Sequence, residues 1–177
     1  MYRLFVAVDV PEQVKIELAS FAFGLPGAKW VPEDQFHITM HFIGEVDGGE
    51  FEDIRQTLSE VRGEEFEITL NGIGVFPPRK EPKVLWVGVD KSDELQQLRN
   101  RVGSALKRAG VELERRKFSP HLTLARLKKT PSGKLAMFMG GHNLYRSSVI
   151  KVKEFTLYSS VLTSKGAIHN VEEVYRL

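Results

Sequence analysis

Two short strings in the chain have the residue types and spacing to move protons at a phosphate: His37-Ile38-Thr39-Met40 and His121-Leu122-Thr123-Leu124. In an extended strand successive side chains leave opposite faces, so the His and Thr of each string share one face while their apolar neighbours enter the core. The His and Thr Cα atoms then lie about 7 Å apart, from roughly 3.3 Å rise per residue. If the two strands pack about a pseudo-two-fold axis, both pairs face one cleft and two imidazoles flank a single reacting atom. An in-line phosphoryl displacement needs that arrangement. A neutral imidazole takes a proton from the attacking group while an imidazolium gives one to the leaving oxygen. With an unperturbed pKa of about 6.5, histidine can hold either state near neutrality. Each such transfer contributes roughly 10²- to 10⁴-fold in rate. The Thr39 and Thr123 hydroxyls could donate to the non-bridging oxygens and stabilise the charge that grows on them. The scheme calls for no metal and no cofactor.

Changes of apolar period define the elements that must position these residues. Residues 2 to 9 read as a strand, and Pro11 suits the first turn of a helix that ends near Gly24. Phe36, Ile38, Met40 and Phe42 alternate with His37, Thr39, His41 and Ile43 in a second strand, closed by a turn at Asp47-Gly48-Gly49. Phe51, Ile54, Leu58 and Val61 fall at helical spacing, and Phe66, Ile68 and Leu70 return to period two. The second half repeats this order. Val84 to Asp90 is a strand, Ser92 caps a helix that stops at Gly110, and Ser119 to Leu127 is a strand. Lys134 to Met139 reads as a short helix, and Val149 to Leu162 with Ala167 to Leu177 as a β-hairpin. Asp9 and Asp90 close similar strings 81 residues apart, and His37 and His121 are 84 apart. The similar offsets suggest a duplicated supersecondary unit, with the Pro-rich stretch Val75 to Pro82 as the connector or an edge loop.

At 177 residues, with 42% hydrophobic and 27% charged residues, the chain reads as an ordinary globular domain rather than a disordered or collagen-like one. The absence of cysteine excludes disulfides and thiolate chemistry. No apolar run approaches the roughly 20 residues of a membrane helix, so a cytoplasmic location without membrane contact is expected. A net charge of +2 does not by itself demand a nucleic-acid partner.

With these flanks, the paired strings resemble the H-x-T-x motifs of the two-histidine (2H) phosphoesterase superfamily. The chain is similar to its RNA 2′,3′-cyclic phosphodiesterase branch, also called 2′-5′ RNA ligase, over nearly its whole length. RLFVAVDVP, FHITMHFIGEV, KFSPHLTLAR and the hairpin containing LYSSVLTSKG carry the resemblance. It implies an α+β fold. Two pseudo-two-fold-related lobes, each a largely antiparallel sheet with helices outside, would enclose an active-site cleft. The expected division is a single domain over residues 1–177, with lobes of about 1–82 and 83–177 and terminal strands free to exchange between them.

The implied reaction is metal-independent hydrolysis of RNA 2′,3′-cyclic phosphate ends, or of small cyclic nucleotides, to 2′-phosphomonoesters. Reversible 2′-5′ ligation would follow from the same step, and a monomer is expected. By the family's pattern His37 protonates the departing 3′ oxygen, His121 activates water, and Thr39, Thr123 and Arg126 hold the phosphate. Strict alternation places Arg126 on the face opposite His121, so it reaches the phosphate only if the strand twists, bulges or ends near Ala125. In the last hairpin the family's Tyr, three residues after the glycine, is here His169.

Other signals have plainer readings. His41 shares the expected face of His37, and a buried, hydrogen-bonded role suits it better than a zinc pair, whose ligands would sit about 13 Å apart along a strand. His142 is expected to face solvent in a Gly140-Gly141 loop, and Gly72 with Gly74 to mark a turn. Phe36 reads as core, whereas Phe5 could offer a base a stacking surface. Arg115, Arg116, Lys117, Arg126, Lys128 and Lys129 could follow an RNA backbone or simply be solvated. A non-catalytic RNA-binding module is the competing reading, and the paired His-Thr spacing discriminates, because binding alone needs no two proton-transfer groups.

Overall fold

The computed structural model describes residues 1–177, and each long periodic stretch forms an element of its predicted type. In chain order the first half holds β1 (Tyr2–Asp9), α1 (Glu12–Ala19), β2 (Ala28–Trp30), a 3₁₀ turn (Glu33–Gln35), β3 (His37–Val46), α2 (Gly48–Leu58), β4 (Phe66–Ile68) and β5 (Leu70–Phe76). The second holds β6 (Val84–Val89), α3 (Asp93–Arg108), β7 (His121–Leu127), α4 (Ser132–His142), β8 (Ile150–Val152), β9 (Glu154–Thr163) and β10 (Gly166–Arg176). No helix is long and apolar enough to cross a membrane.

The main sheet runs β10-β9-β1-β3-β7-β6-β5, with β2 also paired to β7, and every pairing is antiparallel. It is two smaller sheets joined at one place. Strands β10, β9, β1 and β3 form one half and β2, β7, β6 and β5 the other, and the seam between β3 and β7 is the single ladder pair Ile38 opposite Leu122. Two equivalent residues meeting antiparallel put the pseudo-two-fold axis at that seam.

Helices cover the outer face of each half. Helix α3 lies behind β3, where the edge of its Gly103 meets the His41 ring, and it packs on α2. The chain just after α1 meets the end of α4 through Phe21 and His142, whose rings are 4.4 Å apart, while Trp30 of β2 faces Phe138 of α4 at 5.7 Å. One hydrophobic core of 34 buried residues runs continuously behind both halves, including Leu4, Val6 and Val8 of β1 and Leu85 and Val87 of β6. The residues between them in β1, Phe5 and Ala7, pack with Tyr158 in a separate cluster on the other face.

A cut near residue 82 falls inside the β5–β6 hairpin, whose strands pair from Leu70 with Val89 to Phe76 with Val84. The terminal hairpin β9–β10 crosses back to pair with β1. Each half of the sheet therefore draws strands from both halves of the chain.

Several local expectations need correction. Helix α1 stops at Ala19 rather than near Gly24. Asp47 is not a turn residue but the N-cap of α2, where its Oδ1 accepts from the Glu50 amide and Glu50 Oε2 accepts from the Asp47 amide, both at 2.8 Å. The stretch from Val149 to Leu162 breaks at Lys153, because β8 leaves to pair with β4 in a separate two-stranded sheet. Gly72 and Gly74 lie within β5, and β2 was not anticipated at all.

Candidate active site

The seam pair fixes which side chains share the cleft. Ile38 and Leu122 are fully buried and enter the core side by side. Their neighbours His37, Thr39, His121 and Thr123 therefore project from the opposite face, and all four are half-buried there. Extending the antiparallel register by one residue each way sets His37 across from Thr123 and Thr39 across from His121. Directly opposed residues have Cβ atoms about 5 Å apart, so the four polar side chains form one compact patch across the junction.

Beyond this patch both strands break parity, and they do so at equivalent positions. Ala7 pairs with Thr39 but Val6 with His41, which leaves Met40 as an extra residue in β3. Trp86 pairs with Thr123 but Leu85 with Ala125, which leaves Leu124 as an extra residue in β7. Each bulge turns the residue after it inward, so His41 and Ala125 are buried, while Phe42 and Arg126 become exposed on the cleft side. Phe42, expected in the core, is 75% exposed for this reason. The bulge in β7 also satisfies the condition on which Arg126 could share a face with His121. His41 does not share the face of His37. It is buried, and its Nε2–H donates to the Arg99 carbonyl of α3 at 2.8 Å.

The two histidines sit in different surroundings. The Nδ1 of His121 lies 2.7 Å from the Ser119 carbonyl. A carbonyl can only accept, so Nδ1 carries a proton, and in the neutral ring the free lone pair is on Nε2. Phe76 meets the His121 ring edge-on at 5.1 Å, and Trp86 lies 6.3 Å from it. The indole of Trp86 lies over Gly74, where an added Cβ would come within 2.9 Å of Cε2 and nearer still to Cζ2 and Cη2. Glycine is thus required at 74 by a ring, not by a turn.

His37 stacks on Phe5 at 5.0 Å and on Tyr158 at 5.2 Å, with His169 tilted beside it at 5.2 Å. Burial first, then the neighbouring His169 and Lys15, lower its pKa to about 3. Lys15 is itself held by Asp9 at 3.0 Å. Burial likewise lowers the pKa of His41 and His169 and pushes the Tyr158 phenol up to about 12.

Phe5 is only 5% exposed, in mutual contact with His37 and Tyr158, so it backs the His37 ring and presents no open face to a base. His142 is not a free loop residue. It ends α4, with its ring against Phe21 and Phe138. Arg115, Arg116, Lys117, Lys128 and Lys129 are exposed around β7, with Arg116 paired to Glu114 at 3.0 Å. Two concave surfaces, of about 1070 and 700 Å³, lie away from the histidine patch along α3, one beside Arg101 and Arg108 and the other beside Arg99 and Lys107. Tyr158, His169, Phe76 and Trp86 complete the cleft walls without having been singled out as wall residues. Trp86 was legible by its parity in β6, whereas the long-range pairing of the last hairpin with β1 has no local signal.

A family model described as the 2′-5′ RNA ligase superfamily matches residues 10–160. An RNA 2′,3′-cyclic phosphodiesterase of Archaeoglobus fulgidus is 34% identical over 176 residues, covering 98% of this chain and 99% of the other. One of Thermotoga maritima is 35% identical, covering 96% and 92%. Among solved structures, Escherichia coli LigT complexed with 3′-AMP superimposes with a TM-score of 0.80 at 25% identity, covering 99% of this chain and 98% of that one. A Thermus thermophilus protein gives 0.82 at 26% identity, covering 99% and 97%.

Proposed function

The chain belongs to the 2′-5′ RNA ligase superfamily, and from that premise we propose that it is an RNA 2′,3′-cyclic phosphodiesterase in which His37 and His121 exchange protons across one phosphorus. The observation that carries the reading is the seam. Ile38 opposite Leu122 brings two His-Thr pairs, from strands far apart in sequence, onto one face.

In the step, His121 Nε2 takes a proton from water as the water oxygen bonds to phosphorus. The bond from phosphorus to the 3′ oxygen breaks, and His37 gives its proton to that oxygen. The products are a 2′-phosphomonoester and a free 3′-hydroxyl. The Ser119 carbonyl supports the role of His121, since it holds the tautomer whose Nε2 is a base and favours the imidazolium that forms. Thr39 and Thr123 hydroxyls donate to the non-bridging oxygens, and Arg126, which makes no ion pair, adds a cation beside them. A 5′-hydroxyl attacking in place of water would form a 2′-5′ linkage by the same bond changes.

His37 needs help to act as the acid. With a pKa of about 3, only about one molecule in 10⁴ carries the proton at pH 7. The substrate supplies that help. A phosphate anion about 5 Å away at an effective dielectric of about 20 favours the imidazolium by roughly 3 kcal/mol, or about two pKa units. The protonated share of His37 at pH 7 thereby rises about 100-fold, to about one molecule in 10².

The test is turnover of adenosine 2′,3′-cyclic monophosphate by the wild type and by His37→Ala and His121→Ala. Each variant should lose at least about 10²-fold in kcat with the 2′-monophosphate as the sole product of the wild type. Near-wild-type turnover in either variant overturns the mechanism, and an inactive wild type overturns the activity.

A further inference from the structure

The cleft contains a third imidazole that the paired mechanism does not use. His169 pairs with Ser160 in the terminal hairpin, and its ring packs edge-on to Phe5 at 4.9 Å and beside His37 at 5.2 Å. The hairpin is not adrift, because Gln35 Nε2, just ahead of β3, donates to the Ala167 carbonyl at 2.6 Å. His169 Nδ1 is buried and has no hydrogen-bond partner, although the residue as a whole is only half-buried.

An orphaned ring nitrogen restricts the forms the side chain can take. An N–H at Nδ1 would be a buried donor with no acceptor, which costs about 1–3 kcal/mol, and the imidazolium requires that N–H. A bare lone pair at Nδ1 is also unpaired, but the neutral ring with its proton on Nε2 avoids both a buried N–H without an acceptor and a buried charge, and it leaves the donor on the nitrogen that is not sealed in. The charged groups around it do not reverse this balance. Asp34 in the 3₁₀ turn favours the cation, but burial outweighs it, while Lys15 is neutralised by Asp9 and a charge on His37 would repel a second one. Phe5 supplies an aromatic neighbour, and Ser160 is the cross-strand neighbour.

We propose that His169 is a substrate-binding residue that donates a hydrogen bond from Nε2–H, as a neutral imidazole, to an oxygen of the terminal ribose phosphate on the His37 side of the cleft. The inference rests on the cyclic phosphodiesterase reading and extends it. His37 and His121 move protons, whereas His169 keeps its own and recognises the nucleotide end. A fixed donor beside His37 also aligns the departing oxygen without competing for the proton that His37 delivers.

The experiment measures binding of adenosine 2′-monophosphate by calorimetry, together with KM and kcat on the cyclic substrate, in His169→Phe, His169→Asn and His169→Gln. Gln can place an amide N–H near the position of Nε2, Asn only near that of Nδ1, and Phe neither. The Phe and Asn variants should weaken binding and raise KM by about 10-fold, while Gln stays within about 3-fold of the wild type. The acid limb of the kcat pH profile should be the same in Gln and wild type. If Phe or Asn binds as the wild type does, if Gln is as weak as Phe, or if Gln moves the acid limb, the proposal is overturned while the phosphodiesterase reading stands. A wild type with neither binding nor turnover overturns both. Asn keeps the comparison valid should the Phe variant fail to fold.

Discussion

Gly74→Ala is a single-methyl perturbation with a calculable effect on the His121 wall. The new Cβ would stand 2.9 Å from Trp86 Cε2, with two other indole carbons nearer, where ordinary contact begins at 3.4 Å. Gly74 is buried in β5 directly across from Trp86, so the backbone cannot yield cheaply and the indole must retreat by about 1 Å. Its way out is limited. Phe76 lies 5.1 Å from the indole and 5.1 Å from His121, so the displacement passes to the imidazole. Overpacking of this kind costs about 1–3 kcal/mol. For a chain of this length that is a drop in Tm of roughly 3 to 10 °C. A shift of about 1 Å in a proton-transfer group can lower kcat about 10²-fold. Thermal melting and steady-state turnover of a 2′,3′-cyclic nucleotide measure both effects. Trp86→Phe in the same chain vacates the space the methyl needs, so the double variant should regain much of the lost Tm. A Gly74→Ala protein with wild-type melting and turnover, or a double variant no more stable than the single, refutes the account of this wall.

Two further outcomes follow from the charges in the cleft. Folding lowers the pKa of His37 to about 3, so between roughly pH 6.5 and 3 the unfolded chain binds a proton that the folded chain refuses. Stability is therefore complete above about pH 6.5 and declines as pH falls through that window, by on the order of 5 kcal/mol. His41 and His169 act in the same direction, and melting of His37→Ala from pH 7 to 4 should decline less steeply than wild type, with an equal slope disproving the assignment. Arg126→Gln should raise KM for a short RNA ending in a cyclic phosphate several-fold and reduce the salt slope of its binding by about 1, and an unchanged slope would remove Arg126 from the phosphate path.

The sequence showed the chemistry more readily than the geometry. The His-Thr pairs were legible because period-two alternation survives in the four residues of each string. It failed one residue later, since Met40 and Leu124 are inserted relative to their partner strands and a register insertion leaves no mark on a chain read by itself. That is why Phe42 and His41 were assigned to each other's faces and why Arg126 needed a bulge to reach the cleft. Helix α3 was readable from Ser92 to Gly110, because Ser92 caps it through the Leu95 amide and its apolar stripe is continuous. Strand β2 was not, since three residues are too few to display a period. The roles of Gly74, Tyr158 and His169 depend on partners far away in the chain: an indole across the β5–β6 ladder, and β1 beside the terminal hairpin.

With one ladder step stitching its two walls together, the gape of this groove is governed by hydrocarbon, not by backbone hydrogen bonds. The distance between the two imidazoles is then as stiff as the shared core behind Ile38 and Leu122, and no stiffer. Side chains buried far from the cleft act as its calliper screw, and a change of volume there alters the reach between the two rings without touching either.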